Sequence, residues 1–248
     1  MTTIDRRLVT PLYVQLESAL LSYIAQRGLK SGDRLPTESE IAESYGVSRQ
    51  TIRQALTRLV ADGYVERVQG SGSFVAKPRP SHQSLLTSFT QNMRSQGYDP
   101  QRKLVRSCLV EAPPEPRVLP GMPEGPFQFI SRLLLVDGCP LAIAETWLPI
   151  ECLSGRTDLF TAEVIEGSSL YELLQGPDIG LRLARGVETV RGAHATSEQA
   201  QQLEVAADSA TLVVRRVSYT PSERPVEWTV MTFAADRYEY TVDLTNPR

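Results

Sequence analysis

The chain has 248 residues, 41% of them hydrophobic and 22% charged, which fits a soluble globular protein of one large or two ordinary domains. No apolar run reaches the ~20 residues that span a bilayer, and the start lacks a signal peptide, so we expect a cytoplasmic protein without a membrane partner. Residues 1–79 carry 11 Lys and Arg against 8 Asp and Glu, and the rest carry 15 against 21, which favours nucleic-acid binding at the N-terminal end.

The first predicted elements are three helices. Apolar residues at helical spacing follow Pro11 and end at Gly28. Thr37, with Glu40 three residues later, forms a capping box that begins a second helix. Ser48 caps a third helix. The apolar stripe of this third helix comprises Ile52, Ala55, Leu56 and Leu59.

A two-stranded hairpin follows the helices. The runs YVERV and SFVA are strand-like, and QGSG between them predicts a turn with a small tip. The Pro-rich polar segment 77–84 predicts a linker. We therefore expect an N-terminal domain over 1–76 and a second domain over 85–248.

The three helices and the hairpin predict a winged helix-turn-helix. In such a domain the start of the third helix enters the major groove of DNA, where Arg reads guanine, Gln reads adenine and hydroxyls suit phosphates or base edges. The glycine-tipped hairpin allows close backbone approach to the duplex, and the second helix presents backbone N–H groups to a phosphate. The candidate DNA-binding residues are Thr37, Glu38, Ser48, Arg49, Gln50, Thr51, Arg53, Gly70, Ser71 and Gly72.

Residues 11–76, with the run SGDRLPTESEIAESYGVSRQTIRQALTRLVADGYV, resemble the N-terminal domain of GntR-type winged-helix regulators. The resemblance implies a transcription regulator that binds double-stranded operator DNA. One departure is Ser39, where members of the family often carry an arginine that contacts DNA.

Strands dominate the pattern beyond residue 84. Short helices are predicted at LLTSFTQNMRSQG (85–97), SLYELLQ and TSEQAQQLEVA, and DGCP and SERP predict hairpin turns. Strand-like runs are KLVRSCLVEA, FQFISRLLLVDG, PLAIAETWLP, LRLARGVETVRGA, ATLVVRRVSYT and PVEWTVMTFAADRYEYTVDL. Together they predict an α+β domain with an antiparallel sheet.

This half resembles the UTRA effector domain of the HutC branch, whose fold is similar to that of chorismate lyase; FISRLLLVDGCPLAIAETWLP and SSLYELL are among the runs that carry the resemblance. The resemblance implies a small-molecule effector between sheet and helices. The matching positions are Ser88, Arg132, Glu145, Ser169, Tyr171, Glu227 and Tyr238. Some relatives that sense phosphorylated amino sugars carry a second arginine where this chain has Leu134. A single arginine leaves a phosphorylated sugar, a phosphonate and a carboxylate open as anionic effectors.

Ordinary structural roles stay open for these residues. Arg132 could pair with a neighbouring carboxylate, and Tyr171 could pack between helix and sheet. Glu145 and Glu227 could be charges on a wet strand face. Serines often cap helices.

No P-loop, GxSxG, HExxH or Rossmann fingerprint occurs, so we expect neither an enzyme nor a cofactor. The three cysteines are widely spaced and predict neither a disulfide framework nor a zinc site. Of the two histidines, His82 is expected to be exposed in the linker, and a structural role is favoured for His194.

The function expected is that of a homodimeric repressor of a catabolic or uptake operon, which a small anionic metabolite releases from a palindromic operator. Two alternatives are an effector-independent DNA-binding protein and a lyase-like enzyme fused to a DNA-binding domain. The acidic second half argues against the first of these, since architectural DNA-binding proteins are usually basic.

Overall fold

The computed structural model describes residues 4–77, 79–82, 86–114, 123 and 125–242. The chain separates into two compact units, Met1–Arg79 and Pro80–Arg248. Within the described ranges, no helix has the length and apolar character needed to cross a bilayer.

The first unit consists of a three-helix bundle and a hairpin. Its elements are α1 (Leu12–Arg27), α2 (Glu38–Tyr45), α3 (Arg49–Ala61), β1 (Val65–Val68) and β2 (Gly72–Val75). The two strands pair antiparallel, with Val65 opposite Val75 and Val68 opposite Gly72. We call this hairpin the wing. The predicted winged helix-turn-helix fold is confirmed.

Local caps fix where α2 and α3 begin. The Glu40 N–H donates to Thr37 Oγ1 at 3.3 Å, and the Thr37 N–H donates to Glu40 Oε2 at 2.7 Å. Gly46 has a φ of 63° and ends α2 in the left-handed region. The turn between the helices is therefore encoded by residues inside it. Leu16 and Leu20 of α1 pack against Ile52 and Leu56 of α3 to form the core.

The second unit is built on a six-stranded sheet in the order β3-β4-β5-β8-β7-β6, and every neighbouring pair is antiparallel. The strands are β3 (Pro100–Val110), β4 (Phe127–Val136), β5 (Cys139–Pro149), β6 (Arg185–His194), β7 (Ala210–Tyr219) and β8 (Pro225–Ala234). The helices are α4 (Phe89–Ser95), α5 (Ala162–Gly167), α6 (Leu170–Gln175) and α7 (Ser197–Leu203), with short 3-10 turns at Ile150–Cys152 and Thr157–Leu159. The predicted antiparallel α+β fold is confirmed.

Successive residues of a strand face opposite sides of a sheet, and the even-numbered residues of β4 face three helices. Ile130 packs with Ile165 of α5 and Leu174 of α6. Leu134 packs with Met93 of α4. The face that carries Arg132 is therefore covered by α4, α5 and α6, whereas α7 packs against β5 on the other face.

Three sequence expectations are corrected. The last strand ends at Ala234 rather than near residue 244, because Arg237 N–H turns back to the Ala234 carbonyl at 3.0 Å; residues 243–248 lie outside the described ranges. Helix α5 was not predicted. The exposure expected for His82 was wrong, since its side chain is 10% exposed.

Segment 80–82 is joined to the second unit. The His82 N–H donates to the Glu239 carbonyl at 2.9 Å, and the Glu239 N–H donates to the Pro80 carbonyl at 3.0 Å. The Ser81 carbonyl accepts from the side-chain amides of Asn92 (3.2 Å) and Gln96 (2.8 Å) on α4. These partners lie far along the chain, so the local Pro-rich pattern gave no sign of them. Residues 78, 83 and 84 of the expected linker, and residue 85 after it, lie outside the described ranges.

Candidate functional site

The start of α3 presents a polar, exposed face. Arg49, Gln50 and Arg53 are exposed, while Ile52 between them is fully buried against α1. Because a helix turns once in 3.6 residues, burial of Ile52 directs Gln50 and Arg53 outward. The first unit therefore offers the side chains of one helical turn to a partner.

The two predicted hydroxyl contacts, Ser48 and Thr51, bond to each other. Their oxygens lie 2.9 Å apart, and Ser48 Oγ also accepts from the Thr51 N–H at 3.2 Å. This cap fixes the helix at the point where it would meet DNA. Both hydroxyls retain acceptor capacity, so a second partner is compatible with the cap.

Glu38, a predicted DNA contact, lies between two arginines. Its Oε2 lies 3.5 Å from Arg53 Nε, and its Oε1 lies 3.2 Å from Arg67 Nη2. A carboxylate repels phosphates, so this geometry favours a positioning role in which Glu38 ties α3 to the wing. Sequence reasoning did not select Arg67, because a pairing across 29 positions leaves no local signal.

The groove between α2 and the wing has a volume of about 360 Å³ and is lined by Arg34, Thr37, Glu38, Arg67, Gly70 and Gly72, among others. Gly72 has a φ of 124°, and a Cβ there would lie 3.3 Å from Arg34 Nε. The backbone conformation thus favours glycine, and a Cβ at this position would also require the Arg34 side chain to shift slightly. Ser71, the third predicted tip residue, is exposed at the end of the wing.

In the second unit, five predicted residues line one small cavity beneath α4 and α6. Ser88, Arg132, Ser169, Tyr171 and Glu227 enclose about 40 Å³ of free space. We call this the Arg132 cavity. Ser88 and Ser169 precede α4 and α6, whereas Arg132 and Glu227 come from β4 and β8.

The other two predicted residues lie elsewhere. Tyr238 is buried, stacks on Phe233 with ring centroids 3.8 Å apart and lines an adjoining cavity of about 30 Å³. Glu145 pairs in register with Ser131 and Val230 and lines a separate cavity with Trp147. It therefore faces the opposite side of the sheet from Arg132, and the structure separates it from the other six residues. Burial, with the charge of Glu198, raises the pKa of the Glu145 carboxyl.

Arg132 is a buried guanidinium with few partners to compensate for the loss of its hydration. It is 7% exposed, and its Nη2 donates to Thr146 Oγ1 at 3.0 Å. Its Nε has no hydrogen-bond partner among the described residues, nor does the guanidinium form an ion pair there. Burial lowers the pKa of Arg132 to about 10, against the opposing attraction of Glu227. The alternative that Arg132 pairs directly with a neighbouring carboxylate is not supported by this geometry.

Glu227 is 2% exposed and is held by hydroxyl groups. Its Oε2 accepts from Tyr171 at 2.9 Å and from Ser218 at 2.5 Å, and its Oε1 accepts from Thr229 at 3.0 Å. Thr229 Oγ1 lies 2.9 Å from Thr146 Oγ1. Two threonine hydroxyls thus connect the carboxylate of Glu227 with the guanidinium of Arg132.

A second arginine, Arg216, extends this network toward segment 80–82. Arg216 Nη1 donates to the Tyr171 hydroxyl at 3.2 Å, and its Nε donates to Glu188 Oε1 at 2.6 Å. Glu188 Oε2 lies 3.3 Å from His82 Nε2 and accepts from the Tyr240 hydroxyl at 2.7 Å. Sequence reasoning missed Arg216, because the run around it on β7 shows the ordinary alternation of apolar and polar residues in a strand.

The hydroxyl of Ser169 is another buried group without a partner. Ser169 is 1% exposed, and its Oγ makes no hydrogen bond to any residue that the structure describes. The capping contact that does form joins the Ser169 N–H to Glu172 Oε2 at 3.0 Å. Buried polar groups normally find partners, so the unpaired Ser169 hydroxyl and Arg132 Nε mark this cavity as a place that can accept hydrogen-bonding groups from a ligand.

The family model for UTRA domains matches residues 95–239, and the model for bacterial regulatory proteins of the gntR family matches residues 12–75. This chain belongs to the gntR family. The HTH-type transcriptional repressor NagR of Bacillus subtilis (strain 168) is 30% identical over 96% of this chain and 96% of its own length. The probable fructoselysine utilization operon transcriptional repressor of Escherichia coli (strain K12) is 32% identical over 98% of both chains.

Among solved structures, PhnF from Mycobacterium smegmatis aligns with a TM-score of 0.66 and 29% identity, covering 94% of this chain and all (100%) of that one. GntR regulators bind operator DNA through the first domain and an effector through the UTRA domain. The chain is therefore a DNA-binding transcription regulator and not an enzyme. The α3 face belongs to its GntR domain and the Arg132 cavity to its UTRA domain.

Proposed function

We propose that this GntR regulator is a homodimeric repressor of a catabolic or uptake operon in the cytoplasm, and that a small anionic metabolite in the Arg132 cavity releases it from a palindromic operator. The observation that carries the proposal is the buried guanidinium of Arg132, whose described partner is a threonine hydroxyl rather than a carboxylate. A buried charge is costly without a counter-charge. An anionic ligand would supply one.

The part of the proposal that concerns operator DNA depends on the exposed face of α3. Arg49, Gln50 and Arg53 are the residue types that read base edges in a major groove, and the wing lies next to α2 in the same unit. A helix-turn-helix protein commonly binds two half-sites about one helical turn apart, which a two-fold dimer matches. The repressor names of the two relatives support this direction of control.

Cavity size supports coupling between ligand binding and conformational change. The free space of about 40 Å³ is much smaller than the ~300 Å³ or more of typical ligand sites. A phosphorylated sugar, a phosphonate or a carboxylate would have to displace side chains of α4, α6 or the sheet. Such a ligand favours whichever conformation has the larger cavity.

Displacement of α4 would reach the segment that leads to the GntR domain. Asn92 and Gln96 of α4 hold the Ser81 carbonyl. Arg216 joins Tyr171 in the cavity to Glu188, which contacts His82. A coupling of 1–3 kcal/mol through these contacts would change operator affinity by ~5–150-fold.

The test compares Arg132→Gln with Arg94→Gln, which removes the same charge from an exposed position of α4. Operator sequences are first selected from random duplexes with the full-length protein. A panel of sugar phosphates, phosphonates and carboxylates is then screened for release of that operator. We expect both variants to bind the operator, and only Arg132→Gln to lose release. An Arg132→Gln protein that still dissociates normally would overturn the proposal.

A further inference from the structure

We propose that Arg102 is a second ligand-binding guanidinium of the Arg132 cavity, and that it selects a terminal –PO₃ group, as in a phosphomonoester or phosphonate, over a carboxylate. This inference rests on the proposed function, because it concerns the ligand of the same cavity. Arg102 was not among the residues that the sequence pointed to.

The strand register brings Arg102 to the cavity. Arg102 on β3 lies directly opposite Leu134 on β4, and Arg132 is two residues before Leu134. Opposed residues in an antiparallel pair share one face of the sheet. Arg102 therefore faces α4 and α5 on the same side as Arg132, and both line the cavity.

Neutral oxygens hold the Arg102 guanidinium in place. Its Nη1 donates to Thr90 Oγ1 at 2.5 Å, and its Nη2 donates to the Glu166 carbonyl at 3.1 Å. The Glu166 carboxylate accepts instead from the Leu104 N–H at 2.9 Å, which anchors β3 beside Arg102. The side chain is thus preorganised without a carboxylate in direct contact.

The Nε atom of Arg102 is buried and has no hydrogen-bond partner among the described residues. Burial, with the charge of Arg94, lowers the pKa of Arg102, although Glu172 opposes the shift. Burial and the charge of Arg94 both disfavour the positive charge of Arg102. An anion bound in the cavity would stabilise that charge.

Three buried polar groups of the cavity thus lack partners in the described chain: Arg102 Nε, Arg132 Nε and Ser169 Oγ. A terminal –PO₃ group presents three oxygens in a tetrahedral arrangement, so each of the three donors can have an oxygen of its own. A carboxylate can also accept from three donors, as Glu227 does, but its two oxygens lie in one plane and one of them must be shared. Two guanidiniums also match the higher charge of a phosphoryl group, for which arginine is well suited.

The experiment measures binding of methyl phosphate, methylphosphonate and acetate to the full-length protein by calorimetry and thermal shift. The variants are Arg102→Gln, Arg102→Lys and Arg132→Gln, with Lys103→Gln as the control that removes an exposed charge from the opposite face of β3. We expect the wild type and Lys103→Gln to prefer at least one phosphorus probe over acetate by about tenfold or more. Arg102→Gln should lose that preference while acetate affinity changes by less than about threefold. Arg102→Lys should retain only part of it.

The outcomes separate the two proposals. Loss of all binding in Arg132→Gln, together with an unchanged phosphorus preference in Arg102→Gln, overturns the role of Arg102 and leaves the cavity intact as the effector site. Unchanged binding of every probe in Arg132→Gln overturns the proposed function itself. Failure of the wild type to bind either phosphorus probe at about 10 mM, an affinity worth less than about 3 kcal/mol, also overturns the inference. Unfolding curves of each variant show whether a lost signal reflects lost structure. Preference for methyl phosphate or for methylphosphonate identifies which source of the –PO₃ group the cavity takes.

Discussion

Arginines occupy opposite environments in the two units of this regulator. On α3 the Arg53 side chain is 68% exposed, whereas Arg132 in the UTRA domain is 7% exposed. Arg53 pairs with Glu38 at 3.5 Å, but an exposed guanidinium keeps most of its hydration, so this pair contributes little and can give way when DNA arrives. A buried guanidinium has lost its water and depends on partners that the fold or a ligand supplies. An incompletely partnered charge therefore points to a ligand only where it is buried.

The sharpest way to break this comparison is one substitution made in both units. Glu227→Gln removes a buried carboxylate that accepts from Tyr171, Ser218 and Thr229, and we expect it to lower the free energy of unfolding by about 2–3 kcal/mol. Glu38→Gln removes a carboxylate whose side chain is 34% exposed and should cost less than about 1 kcal/mol. Urea unfolding of both full-length variants, followed by circular dichroism, measures the two losses. Equal losses would refute the distinction.

The exposed arginines should matter for DNA and not for folding. Arg49→Ala and Arg53→Ala should each weaken operator binding by about 1–3 kcal/mol and relax its selectivity. Thermal unfolding should stay close to that of the wild type, because both side chains are exposed. Gel shifts with operator and random duplexes provide the measurement. Arg27→Ala, at an exposed position in the last turn of α1, is the control, and a loss of binding there equal to that at Arg53 would contradict the assignment.

Glycines extend the comparison to the backbone. Gly72→Ala places a Cβ on a residue with a φ of 124° and 3.3 Å from Arg34 Nε, so we expect a loss of about 1–2 kcal/mol in stability. A Cβ at Gly192 on β6 would lie in open space, so Gly192→Ala should be neutral or stabilise by up to ~1 kcal/mol. Differential scanning calorimetry of the two variants checks the sign of each change. A stabilising Gly72→Ala would show that the wing backbone is not constrained.

The smallest expected effect is a dependence of stability on pH at His82. Burial lowers the pKa of His82, and Arg216 adds to this while the nearby Glu188 opposes it. The unfolded chain then binds a proton more readily than the folded one, so the stability from neutral His82 is complete above the unfolded value of about 6.5 and declines as pH falls below it.

We expect thermal midpoints to fall between about pH 7 and pH 5, and the slope to be shallower in His82→Gln. The matched variant is His194→Gln, which removes the other histidine from an exposed position; a shallower slope in His82→Gln alone assigns the effect to His82. If both variants follow the wild type, His82 does not contribute to the acid sensitivity.

The parts of the fold that could be predicted are those whose signals are local. The capping box at Thr37 and Glu40 and the left-handed Gly46 fix the helix-turn-helix within ten residues of sequence. In contrast, α5 has only six residues, which is too short for a clear helical period. The end of β8 depends on the turn at Arg237, and the apolar alternation continues past it.

The residues of the candidate sites also divide into those that local sequence signals identify and those that depend on contacts between distant parts of the chain. Residue types at the start of α3 and in the runs ISR and SSLY identified side chains that do share an exposed face or a cavity. Glu145 lies one residue from Thr146, which contacts Arg132, and a shift of one residue moves a side chain to the other face of a strand. Arg102 and Arg216 depend on pairing between distant strands, which a single sequence does not reveal.

The hydrogen bonds that join Pro80 and His82 to Glu239 have a practical consequence for dissecting the protein. An isolated UTRA fragment that begins at residue 86 would lose the partners of the Glu239 backbone and of Asn92 and Gln96, and would start with exposed donors on α4. A fragment that begins at Pro80 keeps this N-terminal anchor. We therefore expect the longer fragment to resist proteolysis and the shorter one to fray at both ends of its chain.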